Sequence, residues 1–194
     1  MKKPKSKIGC FFWLQWMLVT CVGFFVSLLW VEIGDRTDIR LVEGAIGASA
    51  IAISQALVLR QHLAIAWWWI LVSIFSWGLI GGSGMGAIGW VAPGTLLSEP
   101  RIIFGVLNGT IVGAMLGLGQ WLVLRQQVKK AWTWILANAV GWAIGLPIGW
   151  TVGGILRQTT RLFFSELIGL TLAWVVVAGI TGVALVVLLR EKSA

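Results

Sequence analysis

The sequence predicts an all-α membrane protein, with six transmembrane helices arranged as three parallel two-helix repeats of period about 65 residues. Three observations predict it. The first is composition: 58% of the 194 residues are hydrophobic and 11% charged, with a mean hydropathy of +0.91. A soluble domain is about 45–50% apolar and about 25% charged, and it cannot hide this much apolar surface. The second is the spacing of charge, which leaves six apolar runs between polar breaks. Each is long enough to supply the roughly 20 helical residues that cross a bilayer. The third is self-similarity along the chain.

The first span, near 11–31, follows a basic segment at residues 1–10 that carries Lys2, Lys3, Lys5 and Lys7. Its start resembles a signal peptide, but no small-residue cleavage site follows and the run is too long for the core of one. Leu18-Val19-Thr20-Cys21 is similar to a lipoprotein cleavage site, yet the apolar run continues past Cys21, as in an ordinary span. Cys10 and Cys21 would lie about 16 Å apart on one helix, beyond the roughly 7 Å reach of a disulfide. The second span, near 41–59, lies between the charged stretch Glu32 to Glu43 and Arg60. The third, near 67–90, ends before Pro93. The fourth, near 103–124, ends at Arg125. The fifth, near 132–153, contains Pro147, which is expected to kink it. The sixth, near 166–189, ends at Arg190. A six-helix domain over 11–190 and a short tail at 191–194 follow from these bounds.

Charge sets the expected orientation. With the N-terminus inside, the inner side carries ten basic residues against Glu191 alone, and the outer side five basic against six acidic. That asymmetry over short loops puts both termini in the cytoplasm. The pI of about 10.4 and net charge of +8 therefore report topology. Nucleic-acid binding is excluded, because the basic residues sit at span ends and form no continuous stripe.

Shifting the chain by 65 residues lays Gln55 on Gln120 and Leu57-Val58-Leu59-Arg60-Gln61 on Leu122-Val123-Leu124-Arg125-Gln126. Trp69-Ile70-Leu71 falls on Trp134-Ile135-Leu136, and Trp77 on Trp142. From Gly44 to Gly81, 14 of 38 positions are identical without a gap. A further step takes Leu124 to Leu189 and Arg125 to Arg190, and Trp16-Met17-Leu18 with Gly23 is similar to Trp134-Ile135-Leu136 with Gly141. Each unit crosses twice, so the copies share one orientation about an axis along the membrane normal.

Small residues recur every fourth position on several spans, including Gly109, Gly113, Gly117 and Gly141, Gly145, Gly149, Gly153, with Gly78, Gly82, Gly86 on the third span. Such faces let membrane helices approach closely. Of the 14 tryptophans, Trp13, Trp16, Trp67, Trp68, Trp69, Trp132 and Trp134 are expected at the inner interface and Trp30, Trp90 and Trp150 at the outer one. Trp77, Trp121, Trp142 and Trp174 lie deeper, as helix packing or as a wall for a pigment, quinone or lipid tail.

The span interiors are expected to hold no ionisable group. That weighs against proton or ion coupling, and no Ser, His and Asp constellation for hydrolysis is present. No catalytic or metal-binding residue is assigned. The candidate intramembrane polar layer is Gln55, Gln120, Ser73 and Asn138, with Thr20 matching the last two. It either bonds helix to helix or lines a narrow polar path. The candidate anion or lipid-headgroup site is Arg60, Arg125 and Arg190 with Lys129 and Lys130, read either as headgroup anchors or as a ring binding phosphate. His62 is a lone loop histidine beside Arg60.

A span ending in Gln-x-Leu-Val-Leu-Arg, a short loop, then Trp-x-Trp-Ile-Leu resembles a group of small polytopic bacterial membrane proteins frequent in cyanobacteria and Chloroflexus-type bacteria. The likeness covers residues 41–155. It implies a plasma or thylakoid membrane and carries over no catalytic residue and no activity. Three two-helix repeats also resemble the plan of mitochondrial carriers, but the Pro-x-Asp/Glu-x-x-Lys/Arg signature is absent. The expected function is that of a non-enzymatic accessory or packing partner in the bilayer that binds lipid or pigment, alone, with a membrane-protein partner or as a homo-oligomer. The alternative is a small transporter or channel with an Arg/Gln-lined path. No cofactor is required by either.

Overall fold

The computed structural model describes residues 8–193. The basic residues Lys2, Lys3, Lys5 and Lys7 lie outside that range. Among these residues there are six α-helices: α1 Cys10–Ser27, α2 Leu41–Leu59, α3 Ala66–Ile80, α4 Ser98–Leu124, α5 Thr133–Thr160 and α6 Phe164–Ser193. All six runs are long and apolar enough to cross a membrane, the third by counting the turn that extends α3 to Met85. Both cysteines are free thiols.

Each helix packs against its neighbours in the chain, and α6 closes back on α1. The result is a ring of six helices around one centre. Arg190 donates from Nε to the Ile8 carbonyl at 2.7 Å, so both chain ends lie at one face. We call this the terminal face, and the opposite one the far face.

Small residues set the closest approaches. On α4, Gly105 and Gly117 face α5 so tightly that a Cβ would stand 2.7 Å from the Pro147 Cα and 2.9 Å from the Ile135 Cα. Gly109 and Gly113, between them, meet the carbonyls of Trp142 and Asn138. Backbone contact of this kind lets dispersion act over a long seam where lipid removes the hydrophobic drive. Helix α5 runs unbroken through Pro147, whose ring packs on Gly105.

The third span departs from its expected form. Helix α3 stops at Ile80, one wide turn follows at Gly81–Met85, and the chain folds back through a short 3-10 turn at Ile88–Trp90. Gly84 and Gly86 have φ of +83° and +73°, values that β-carbon-bearing residues rarely adopt. Gly82 and Gly86 therefore do not continue the helix face that begins at Gly78. Residues 87–92 are all buried. Their backbone pairs with the α1–α2 connection: Gly34 donates to Trp90 O at 3.2 Å and Ala92 donates to Gly34 O at 2.8 Å. Non-helical backbone is tolerated at such depth only when protein surrounds it.

The buried side chains form two apolar clusters. One, towards the terminal face, includes Phe12, Trp16, Leu59, Trp69, Leu124, Trp134 and Leu189. The other, towards the far face, includes Phe24, Trp77, Trp90, Trp142, Trp150 and Trp174. The expected interfacial belt is corrected accordingly. Trp16, Trp69, Trp90, Trp134 and Trp150 are fully buried inside the ring, whereas Trp30, Trp67, Trp68 and Trp132 are exposed on its outside. Indole was placed by its nearness to span ends, but the helix face it occupies decides.

Candidate functional site

Between the two clusters lies a layer of neutral polar side chains. Gln55 of α2 donates from Nε2 to Thr20 Oγ1 of α1 at 3.1 Å and accepts at Oε1 from the Trp69 indole of α3 at 3.0 Å. Gln120 of α4, 65 positions on, does the same with its own neighbours. Its Nε2 donates to Ser73 Oγ of α3 at 3.0 Å, and its Oε1 accepts from the Trp134 indole of α5 at 3.0 Å. Each glutamine thus ties three helices together, with both ends of its amide bonded to protein. On α6 the corresponding place holds Leu185, and Thr181 one turn away accepts from the Trp16 indole at 3.1 Å. Asn138 of α5 donates to Trp134 O at 3.0 Å.

The three indoles so anchored meet one another. Trp16, Trp69 and Trp134 have centroid separations of 5.6 to 6.2 Å, with edges meeting faces or tilted. Such pairs contribute beyond their buried area. Towards the far face Trp77, Trp142 and Trp174 form a second tier, at 4.9 to 5.9 Å, and Trp90 joins it from the folded-back segment. Between the tiers is a cavity of about 20 Å³, lined by Thr20, Ser73, Asn138, Gln55, Gln120 and Thr181 among others. The sequence-predicted layer of Gln55, Gln120, Ser73 and Asn138 is therefore brought together around one small space.

The basic candidates are arranged differently. Arg60, Arg125, Arg190, Lys129 and Lys130 are all exposed. Arg125 lies over its own Trp121 ring at 4.7 Å, Arg190 holds Ile8, and Lys130 pairs with Glu191 at 2.9 Å. Exposed pairs of this kind contribute little. His62 meets Phe12 edge-on at 5.1 Å, and its carbonyl accepts from Lys192 Nζ at 3.0 Å. Burial, with Lys192 second, pushes its imidazole below the usual 6.5. Among the described residues no three His, Cys, Asp or Glu side chains converge as a metal site would need.

One constellation escaped the sequence reading. Arg101 and Glu166, counted as solvent-facing charges at span ends, are both buried and form a bidentate pair at 2.6 and 2.9 Å. Arg101 also donates to the carbonyls of Thr95, Pro93 and Trp150, and Arg157 approaches Glu166 at 3.4 Å. A Cβ on Gly154 would stand 2.8 Å from Arg101 Nε, and one on Gly153 2.8 Å from Glu166 Oε2, so this glycine pair makes the room. Both lie at the ends of the expected spans, and what the sequence reading missed is their burial. The signal available was weak: the two residues stand 65 apart with opposite charge.

No known protein family, curated protein or solved structure matches the chain.

Proposed function

We propose that this chain is a non-enzymatic membrane protein, built from three parallel two-helix repeats, that serves as a packing or accessory partner within a bacterial bilayer. The observation that carries this reading is the closed centre. About 20 Å³ of space remains on the axis, and tryptophan tiers lie on both sides of it. A conduit or alternating-access site needs polar groups free to exchange with a solute. Here both ends of the Gln55 and Gln120 amides are bonded to protein.

The repeated bonding of residues 65 apart supports the three-hairpin reading, and so does the closure of α6 on α1. The exterior supports the partner role. Each helix exposes large apolar side chains, such as Phe11, Val42, Phe75, Leu118, Leu136 and Phe164. Apolar grooves of about 480 and 400 Å³, beside Pro147 and beside Phe164, have the form of seats for lipid chains. The core indoles pack on one another, so lipid suits this surface better than a pigment stacked inside. The resemblance to small cyanobacterial membrane proteins and the charge asymmetry support a plasma or thylakoid membrane with both termini cytoplasmic.

Native purification with identification of co-purifying proteins and lipids tests the role. A reproducible membrane-protein partner is the expected result. In parallel, the purified chain in liposomes is expected to pass no chloride or phosphate. A flux that Gln55→Ala and Gln120→Ala abolish would overturn this reading in favour of a small transporter.

A further inference from the structure

The Trp142 side chain lines the central cavity, is fully buried, and its indole N–H meets no acceptor in the protein. Four other indoles around this centre have one: Trp16 has Thr181, Trp69 has Gln55, Trp134 has Gln120 and Trp174 has Gly89 O. An orphaned buried donor carries its full desolvation penalty, so native interiors rarely leave one unpaired. We propose that the cavity binds a single water molecule, which accepts from Trp142 Nε1 and bridges to the polar layer.

Size and chemistry both select water. A cavity needs about 10–15 Å³ on this measure to hold one water, and about 20 Å³ is present, enough for one and too little for two. No charged side chain lines it. The guest must accept a hydrogen bond from an indole, which excludes a metal cation. An anion without a counter-charge would be costly to bury there. A neutral molecule that both accepts and donates fits. The surrounding groups have the complementary capacity. The hydroxyls of Thr20 and Ser73 each accept an amide from a glutamine and keep a proton to give. Asn138 spends its Nδ2 on Trp134 O and keeps its carbonyl oxygen to accept. A buried water makes about three such bonds.

The polar layer around the cavity is incomplete at one position. Gln55 reaches Thr20 and Gln120 reaches Ser73, whereas Leu185 stands where a third glutamine would reach Asn138. The water supplies the bonds that this side chain lacks. The inference concerns the cavity alone and stands whether or not the chain has a transport activity.

The test is water contact at one indole. The full chain, with ¹⁵N-labelled indoles in lipid nanodiscs, is examined by NMR for magnetisation transfer from water, and Trp142→Phe identifies the resonance. The expected result is a water cross-peak at the Trp142 indole and none at Trp90 or Trp150, which bond Ser27 and Val91 away from the cavity. A Trp142 indole without that cross-peak would overturn the proposal. Should Trp142→Phe fail to fold, high-resolution crystallography of the unaltered chain decides. One oxygen within hydrogen-bond distance of Trp142 Nε1 supports the site, and an empty cavity refutes it.

Discussion

Gln120 satisfies a serine on one neighbouring helix and an indole on the other, so its loss reaches beyond one contact. Gln120→Leu is expected to leave the Trp134 N–H buried without an acceptor and to destabilise the fold by about 1–3 kcal/mol, the usual cost of an orphaned donor. Thermal unfolding in detergent measures it, and an unchanged midpoint would show that the bonds contribute nothing. Glu166 is the harsher site. Its carboxylate neutralises a guanidinium that has no water around it, and breaking a buried pair by removing one partner costs about 3–5 kcal/mol. Glu166→Gln is therefore expected to lower stability more than Gln120→Leu. Arg101→Met with Glu166→Leu is expected to recover part of the loss, because no fully buried charge is left unpaired, Arg157 being partly exposed. The recovery stays partial, since Arg101 also holds the carbonyls of Thr95, Pro93 and Trp150. A double variant worse than Glu166→Gln alone would contradict this account.

Among the elements, the α4–α5 seam depends on the absence of side chains. Gly113 faces the Asn138 carbonyl directly, so Gly113→Leu is expected to force the helices apart and to cost at least about 2 kcal/mol, the scale of an overpacked core. A thermal midpoint near that of the parent would refute it. This seam was legible in the sequence, because glycines every four residues admit few other readings. So were the six runs, since charge spaced this widely leaves little ambiguity about what crosses a bilayer. The end of α3 was not. Gly78, Gly82 and Gly86 look in sequence like one more small-residue face, and only the positive φ at Gly84 and Gly86 separates a turn from a helix. Arg101 and Glu166 were equally hidden, because a charge at a span end has the same sequence signature whether it meets headgroups or a partner. The polar layer was half legible. Gln55, Gln120, Ser73 and Asn138 were identified by their spacing, but whether they bonded each other or lined a path depended on Trp16, Trp69 and Trp134, which a span-end position disguised as interfacial residues.

As a whole molecule, the ring has both ends on one face, where Arg190 meets Ile8 and Lys192 meets His62. Small tags placed at the two ends are therefore expected to behave alike. In intact spheroplasts both should resist added protease, and both should be cut once the membrane is permeabilised. Cleavage of either tag in intact cells would overturn the cytoplasmic orientation drawn from the loop charges. The two-cluster core predicts one cooperative unit, because the polar layer joins α1 to α3 and α3 to α5 through side chains on α2 and α4.

The folded-back segment also constrains how the chain is assembled. Helix α3 has 15 residues, about 22 Å of rise, short of the roughly 30 Å of hydrocarbon it must cross. The deficit is made up by the chain from Gly81 onward, whose groups are secured by Trp150 at Val91 and Trp174 at Gly89. Both indoles belong to helices made later in synthesis. The third crossing thus cannot reach its final form as it leaves the ribosome. It waits, incompletely satisfied, until the last two helices arrive, and a chain cut short after α4 would keep only its bonds to Ser27, Gly34 and Ile39.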